Sequence, residues 1–240
     1  QAKEVAEDMG FTILHMYVDC LFVQQEGFHK PSDFTQLMNA IEKQTCIPIA
    51  LEGVFKWVAF LASKRDARVP VPNQYFGAFQ DGTLKYRGIE LRRRDTTLWV
   101  RKIQLKALEI LARANTPREF ANRVPDVMNL VEDAKRELRI GSVPLDQLII
   151  HQRLSRSIEA YRTPSPTARA ARQLQAHGRQ FAPGQSLEFL FARNGTGVHA
   201  WELEEALDSG KLDTKRYYRL LDRAIQTVLD PCKPLLVPER

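Results

Sequence analysis

The hydrophobic pattern of this 240-residue chain changes period once, near residue 97, and that change limits the fold more than any other feature. Before it, apolar and aromatic residues come in short, β-branched runs: FTILHMYVDCLFV (11–23), IALEGVFKWVAFLA (49–62), QYFGAF (74–79) and LKYRGIEL (84–91). Runs of this length and composition, bounded by Gly, Pro and Asp, read as strands. After it, Trp99, Ile103, Ala107, Ile110 and Ala114 recur at steps of three and four residues, the stripe of an amphipathic helix. A second helical stretch runs from Pro117 to about Arg139, closed by Gly141. Strand-rich followed by helix-rich predicts an α+β fold in two parts, 1–97 and 98–240.

Local signals fill in the order of elements. Residues 2–9 read as a helix end stopped by Gly10. The run 11–23 divides into two short strands around a tight turn at Tyr17 to Asp19. Ser32 is a candidate cap for a helix through Phe34, Leu37, Met38 and Ile41, broken at Pro48. A basic, Pro-containing loop (63–73) precedes a hairpin turning at Asp81–Gly82. Later come a strand LIIHQRL (148–154), a Pro/Ser/Thr loop, a basic helix from Thr167 to His177, a strand SLEFLFA (186–192) and a last helix from about Thr214 to Leu229. The tail CKPLLVPER is Pro-broken and reads as loosely held. No internal repeat is apparent.

Charge is distributed unevenly. Residues 1–84 are net −3, residues 85–172 net +9 with 19 Lys and Arg, and residues 173–240 neutral. A basic middle suggests a polyanion, with nucleic acid as first candidate. A solvated basic surface is the plain alternative. The three cysteines are scattered without CxxC spacing, and no two histidines fall at HxxxH spacing, so neither a disulfide framework nor a zinc site is indicated. No apolar run is long enough to span a membrane. The N-terminus is polar, carries no secretory signal, and lacks an initiating Met, which fits an internal piece of a longer chain in a reducing, cytoplasmic setting.

One acidic residue stands out. Asp19 sits at the turn of an otherwise apolar hairpin, where a side chain reaches an exposed lip and can meet a divalent cation. A turn aspartate satisfying backbone amides is the other reading.

Taken in order, these segments resemble the C-terminal palm and thumb of a family B DNA polymerase. AKEVAEDMGF followed by TILHMYVDCLFV resembles the family's helix and motif C hairpin, with His15 to Cys20 on the YGDTDS positions. NQYFGAFQDGTLKYRGIELRRRDTT resembles the KxY segment and the hairpin ending in GxExxRRD. DQLIIHQRLSRSIEAYRTPSPTARAARQL and APGQSLEFLFA resemble the thumb's strand, its tyrosine loop, its basic helix and its PGD-type turn. The departures are Tyr17 at the first motif C aspartate, Cys20 at the serine and Asn73 at the lysine of KxY, with Tyr75 keeping the tyrosine. They are similar to those of a divergent branch described as inactivated or specialised.

The resemblance implies a partial antiparallel palm sheet with its hairpin, residues 1–97, and a mainly helical thumb, 98–240. It implies Mg2+ held by Asp19 together with an upstream aspartate, and DNA contacts from Asn73, Tyr75, Arg93, Arg94, Arg153, Arg162, Thr163, Arg169 and Arg172. Primer–template DNA, dNTP and an upstream palm, fingers and exonuclease part are the implied partners. A nucleoid-associated cytoplasmic location follows, as does inactivity of this piece alone. A catalytically inactive DNA-binding or scaffolding subunit is the alternative, favoured by Tyr17 and Asn73.

Overall fold

The computed structural model describes residues 1–63, 65–66, 69–163 and 165–232. The chain divides into two compact units, Gln1–Arg87 and Gly88–Arg240. The compositional change near residue 97 lies inside the second unit, at Thr97, the N-cap of that unit's first α-helix. The expectation for the tail falls largely on 233–240, outside the described residues.

The first unit is built from helices α1 (Ala2–Asp8) and α2 (Thr35–Thr45) and strands β1 (Thr12–Tyr17), β2 (Cys20–Gln24), β3 (Phe55–Ala62), β4 (Pro70–Phe79) and β5 (Leu84–Arg87). β1 pairs antiparallel with β2, and β3, β4 and β5 form a three-stranded antiparallel sheet in that order. The hairpin β1–β2 has two apolar faces. Ile13, Leu21 and Val23 pack with Phe11, Phe34, Leu37 and Ile41 against α1 and α2. A register shift between Ile13 and His15 moves the alternation by one residue. His15 therefore turns the other way, to Phe60 at 4.9 Å, while Phe22 meets the Tyr75 ring at 5.1 Å. Aromatic edges and faces at these spacings are the favoured geometry. Gly77 on β4 is required by close approach: a Cβ there would lie 2.6 Å from the Trp57 carbonyl oxygen and 2.9 Å from the Phe55 ring.

Three local expectations are corrected. Ser32 does not cap α2: a 3-10 turn (Pro31–Phe34) precedes the α-helix, whose N-cap is Phe34 without a side-chain cap. The turn is closed by the Asp33 carboxylate, which accepts from the N–H groups of Lys30 and His29, both at 2.8 Å. Those two backbone donors, Lys30 first, hold the carboxyl below its ordinary value. The strand expected over 49–62 begins only at Phe55, because the Ile49 N–H is bound by the Glu42 side chain at 2.8 Å. β4 begins at Pro70, within the expected loop.

The second unit holds α3 (Leu98–Ala112), α4 (Pro117–Arg139), α5 (Pro166–Ala176) and α6 (Thr214–Leu229) with strands β6 (Ile150–Arg153), β7 (Ser186–Phe191) and β8 (Val198–Ala200). These strands form one antiparallel sheet in sequence order. The stripe on α3 is core: Trp99, Ile103, Ala107 and Leu111 are buried. Thr97, Thr116, Ser165 and Asp213 cap α3, α4, α5 and α6 with side-chain oxygens. One face of the sheet (Ile150, Leu187, Phe189, Val198, Ala200) packs on Ala170, Ala171 and Leu174 of α5. Tyr217 of α6 ties the 3-10 turn before β6 to β7. Its buried hydroxyl donates to the Leu148 carbonyl and accepts from the Phe191 N–H, both at 3.0 Å. Burial pushes this phenol well above the usual tyrosine range.

Candidate nucleic-acid interface

In the first unit, Val18 and Asp19 form the two-residue turn between the paired residues Tyr17 and Cys20. A turn this short needs positive φ, and Val18 takes it at 37° while 91% exposed. A β-branched residue in that region is strained, which marks the tip as a place where sequence is not set by backbone ease. Asp19 is exposed beside it. Among the described residues, no three His, Cys, Asp or Glu side chains stand together as a metal site. A single exposed carboxylate leaves a divalent cation with most of its water shell. The residues present do not make a Mg2+ site by themselves.

Asn73 and Tyr75 lie on β4. Phe60 pairs with Tyr75 and Ala62 with Pro70, so β4 bulges between them. Asn73 sits in that bulge with φ 58°, a conformation asparagine adopts more readily than lysine. Tyr75 is only 3% exposed, its ring between Phe22 and Phe60. Burial raises its phenol above the ordinary value. Its ring supports the floor under the hairpin and presents little to solvent.

In the second unit a shallow cleft forms where the Arg93–Arg94–Asp95 turn meets the outward face of β6 and β7. Two features bring these segments together. First, Glu90, just before the arginines, is anchored among helices. Its carboxylate accepts from Gln104 Nε2 of α3 at 3.1 Å and from Thr227 Oγ1 of α6 at 3.2 Å, with Arg223 Nε at 3.8 Å. Gln104, wholly buried, also donates to the Ala224 carbonyl at 2.8 Å. Second, alternation along β6 turns Ile150 and Gln152 toward α5 and leaves His151 and Arg153 exposed. Gln152 accepts the Thr167 hydroxyl at 2.6 Å, fixing which face is which.

The cleft holds three guanidiniums. Arg93 is oriented by a bidentate pair with Asp95, Nε to Oδ1 at 3.1 Å and Nη2 to Oδ2 at 2.9 Å. The Asp95 bonds raise this guanidinium above its ordinary value. Arg94 and Arg153 are exposed and make no ion pair among the described residues. One oriented guanidinium and two free ones in a concave site suit phosphate oxygens, which accept from several N–H groups at once.

The remaining cations do not join this cleft. Arg169 and Arg172 lie on α5, whose packed face covers the opposite side of the sheet. Arg169 is half-buried with its guanidinium against the Gly197 turn, while Arg172 is exposed. Arg162 and Thr163 are exposed on the loop before α5. That loop is organised by Tyr161, whose hydroxyl accepts the Ser155 N–H at 3.1 Å beneath the Arg156 guanidinium, 5.4 Å from the ring. The Ser155 hydroxyl, ahead of the backbone donors, lowers the Tyr161 phenol below its ordinary value. Sequence reasoning missed His151 and Ser186 in the cleft and Glu90 beneath it. The alternate spacing of His151 and Arg153 on an apolar strand was the available signal.

The chain is 22% identical over 225 residues to DNA polymerase 1 of Saccharolobus solfataricus, covering 93% of this chain and 24% of that protein. It is 23% identical over 218 residues to a DNA polymerase of Archaeoglobus fulgidus, covering 89% of this chain and 26% of that one. It thus spans about a quarter of the length of these relatives. The family B DNA polymerase of the hyperthermophilic archaeon Pyrobaculum calidifontis superposes with a TM-score of 0.64 at 22% identity, over 99% of this chain and 28% of that one, so the fold is shared. Residues 19–231 match the pattern of DNA polymerase family B, nearly the whole chain, and the chain belongs to that family.

Proposed function

We propose that the chain is the duplex-holding part of a family B DNA polymerase, with the second unit, Gly88–Arg240, as thumb and the first unit as the C-terminal part of the palm. The observation that carries this reading is the cleft in which Arg93, Arg94 and Arg153 converge. A polymerase handles any sequence, so contacts to phosphate rather than to base edges are what the task requires. Arg162 and Thr163 on the loop before α5 and Arg172 on α5 lie outside the cleft and are separate candidates for duplex contact; of the first unit's pair, Asn73 is half-buried and Tyr75 buried. Arg169 supports the turn behind α5.

Asp19 is a lone carboxylate at an accessible tip, suited to be one ligand of a shared Mg2+ site whose other carboxylates belong to the rest of a longer polymerase. In that setting dNTP and the upstream palm, fingers and exonuclease parts are partners, and the location is cytoplasmic with the nucleoid. No described helix is long and apolar enough to cross a membrane. A non-catalytic, DNA-binding subunit is the second reading, favoured by Tyr17 facing Cys20 where a further carboxylate would help bind metal.

The test is duplex binding by the purified chain, measured with two primer–template duplexes of equal length and unrelated sequence over a range of salt. Equal affinities falling steeply with salt are expected, since each neutralised phosphate contributes about −0.9 to the slope. Strong preference for one sequence, or affinity independent of salt, counts against the reading.

A further inference from the structure

The outward face of β6 and β7 carries a group that the arginine pattern hides. His151 is exposed, and its Nδ1 lies 3.0 Å from Oε1 of Glu188, the residue opposite it on β7. A carboxylate at that distance takes the Nδ1 hydrogen and sets the ring orientation, which leaves Nε2 for the cleft. Arg153 lies two residues along the same strand face, with Ser186 opposite it. Arg93, Arg94 and Asp95 line the other wall. The Trp201 N–H donates to the Glu188 carbonyl at 2.9 Å, and Glu202, the residue after it, pairs with Arg179.

The charge balance of this cleft is close. Three guanidiniums, Arg93, Arg94 and Arg153, face two carboxylates, Asp95 and Glu188. With a neutral imidazole the cleft carries a net of one positive charge, and with an imidazolium it carries two. One proton on His151 therefore doubles the net charge offered to a phosphate.

Building on the duplex-holding reading above, we propose that His151 is a duplex-contacting residue whose imidazolium donates from Nε2 to a phosphate oxygen while Glu188 holds Nδ1, so that duplex binding takes up a proton. A bound phosphate favours the charged ring. Binding is therefore stronger at a pH where imidazoles are charged than at one where they are neutral. One added phosphate contact steepens the salt slope by about 0.9, which at 0.1 M salt corresponds to about an eightfold gain in affinity.

The experiment uses the full chain and a fluorescently labelled primer–template duplex, with anisotropy titrations at about pH 5.5 and about pH 8, the interval in which imidazoles change charge. Wild type, His151→Gln and Glu188→Gln are compared, each checked by thermal unfolding. The gain in affinity on acidification is expected to be about eightfold larger in wild type than in His151→Gln. Glu188→Gln should bind more tightly than wild type at the higher pH, because one carboxylate has been removed from beside the cleft. Equal gains in wild type and His151→Gln overturn the assignment to His151 while leaving the duplex reading intact. Absence of duplex binding by every protein at both pH values overturns the duplex reading itself.

Discussion

Replacing Tyr217 by Phe removes one oxygen from the middle of the second unit and tests how that unit is held together. The hydroxyl makes two bonds of 3.0 Å, donating to the Leu148 carbonyl and accepting the Phe191 N–H. The ring stays, so apolar burial against α6 and the sheet is unchanged and no cavity larger than an oxygen atom opens. What is lost is satisfaction of two backbone groups. Each costs about 1–3 kcal/mol when left buried and unpaired. Leu148 is wholly buried and Phe191 half-buried, so a total of about 3 kcal/mol is reasonable. For a unit of this size, a kilocalorie lowers Tm by about 2–4 °C, which gives a drop of roughly 6–12 °C. Calorimetry or circular dichroism at neutral pH reads it. A loss below about 1 kcal/mol would show that the clamp between Leu148 and Phe191 is not what secures the start of β6, and the physical account of how the cleft is supported would fail.

Two further outcomes are expected in the first unit. Val18→Asn should raise that unit's stability by about 1 kcal/mol, since asparagine tolerates the positive φ that valine resists; urea denaturation measures it, and a loss of stability would contradict the strained turn. Asp19→Asn should leave duplex affinity of the isolated chain unchanged within twofold or so, a consequence of one charge at an exposed tip being screened; in a reassembled polymerase the same change should abolish nucleotide incorporation, and retained incorporation would remove Asp19 from the catalytic site.

Much of the architecture could be read from residue pattern alone, because it rests on local signals. The hairpin around Val18–Asp19, the Asp81–Gly82 turn and the stripe from Trp99 to Ala114 each follow from a period or a turn residue. The misses have different causes. β8, Val198–Ala200, is three residues long and exists only because β7 supplies its partner. Ser32 is not a cap because a 3-10 turn, closed by the Asp33 carboxylate on the Lys30 and His29 N–H groups, comes first and puts Phe34 at the N-cap of α2. The strand expected from Ile49 starts late because Glu42 captures the Ile49 N–H.

The cleft itself was half legible. Arg93, Arg94 and Arg153 were identified as cations, yet nothing local brings residues 93 and 153 together. The segment that carries Arg93 is anchored by Glu90 bonding to Gln104 and Thr227, which lie 14 and 137 residues away in sequence. For the same reason the pattern could not separate Arg153 from Arg169 and Arg172, which the sheet divides onto opposite faces.

The central claim is that this cleft, and not basic charge in general, holds duplex DNA. The direct test is the salt dependence of duplex binding for wild type and for Arg94→Gln/Arg153→Gln. Both side chains are exposed and make no ion pair among the described residues, so the fold should be unaffected. The account expects the slope of log affinity against log salt to fall in magnitude by about 1.8, two phosphate contacts at about 0.9 each. An unchanged slope, with binding retained, would contradict it.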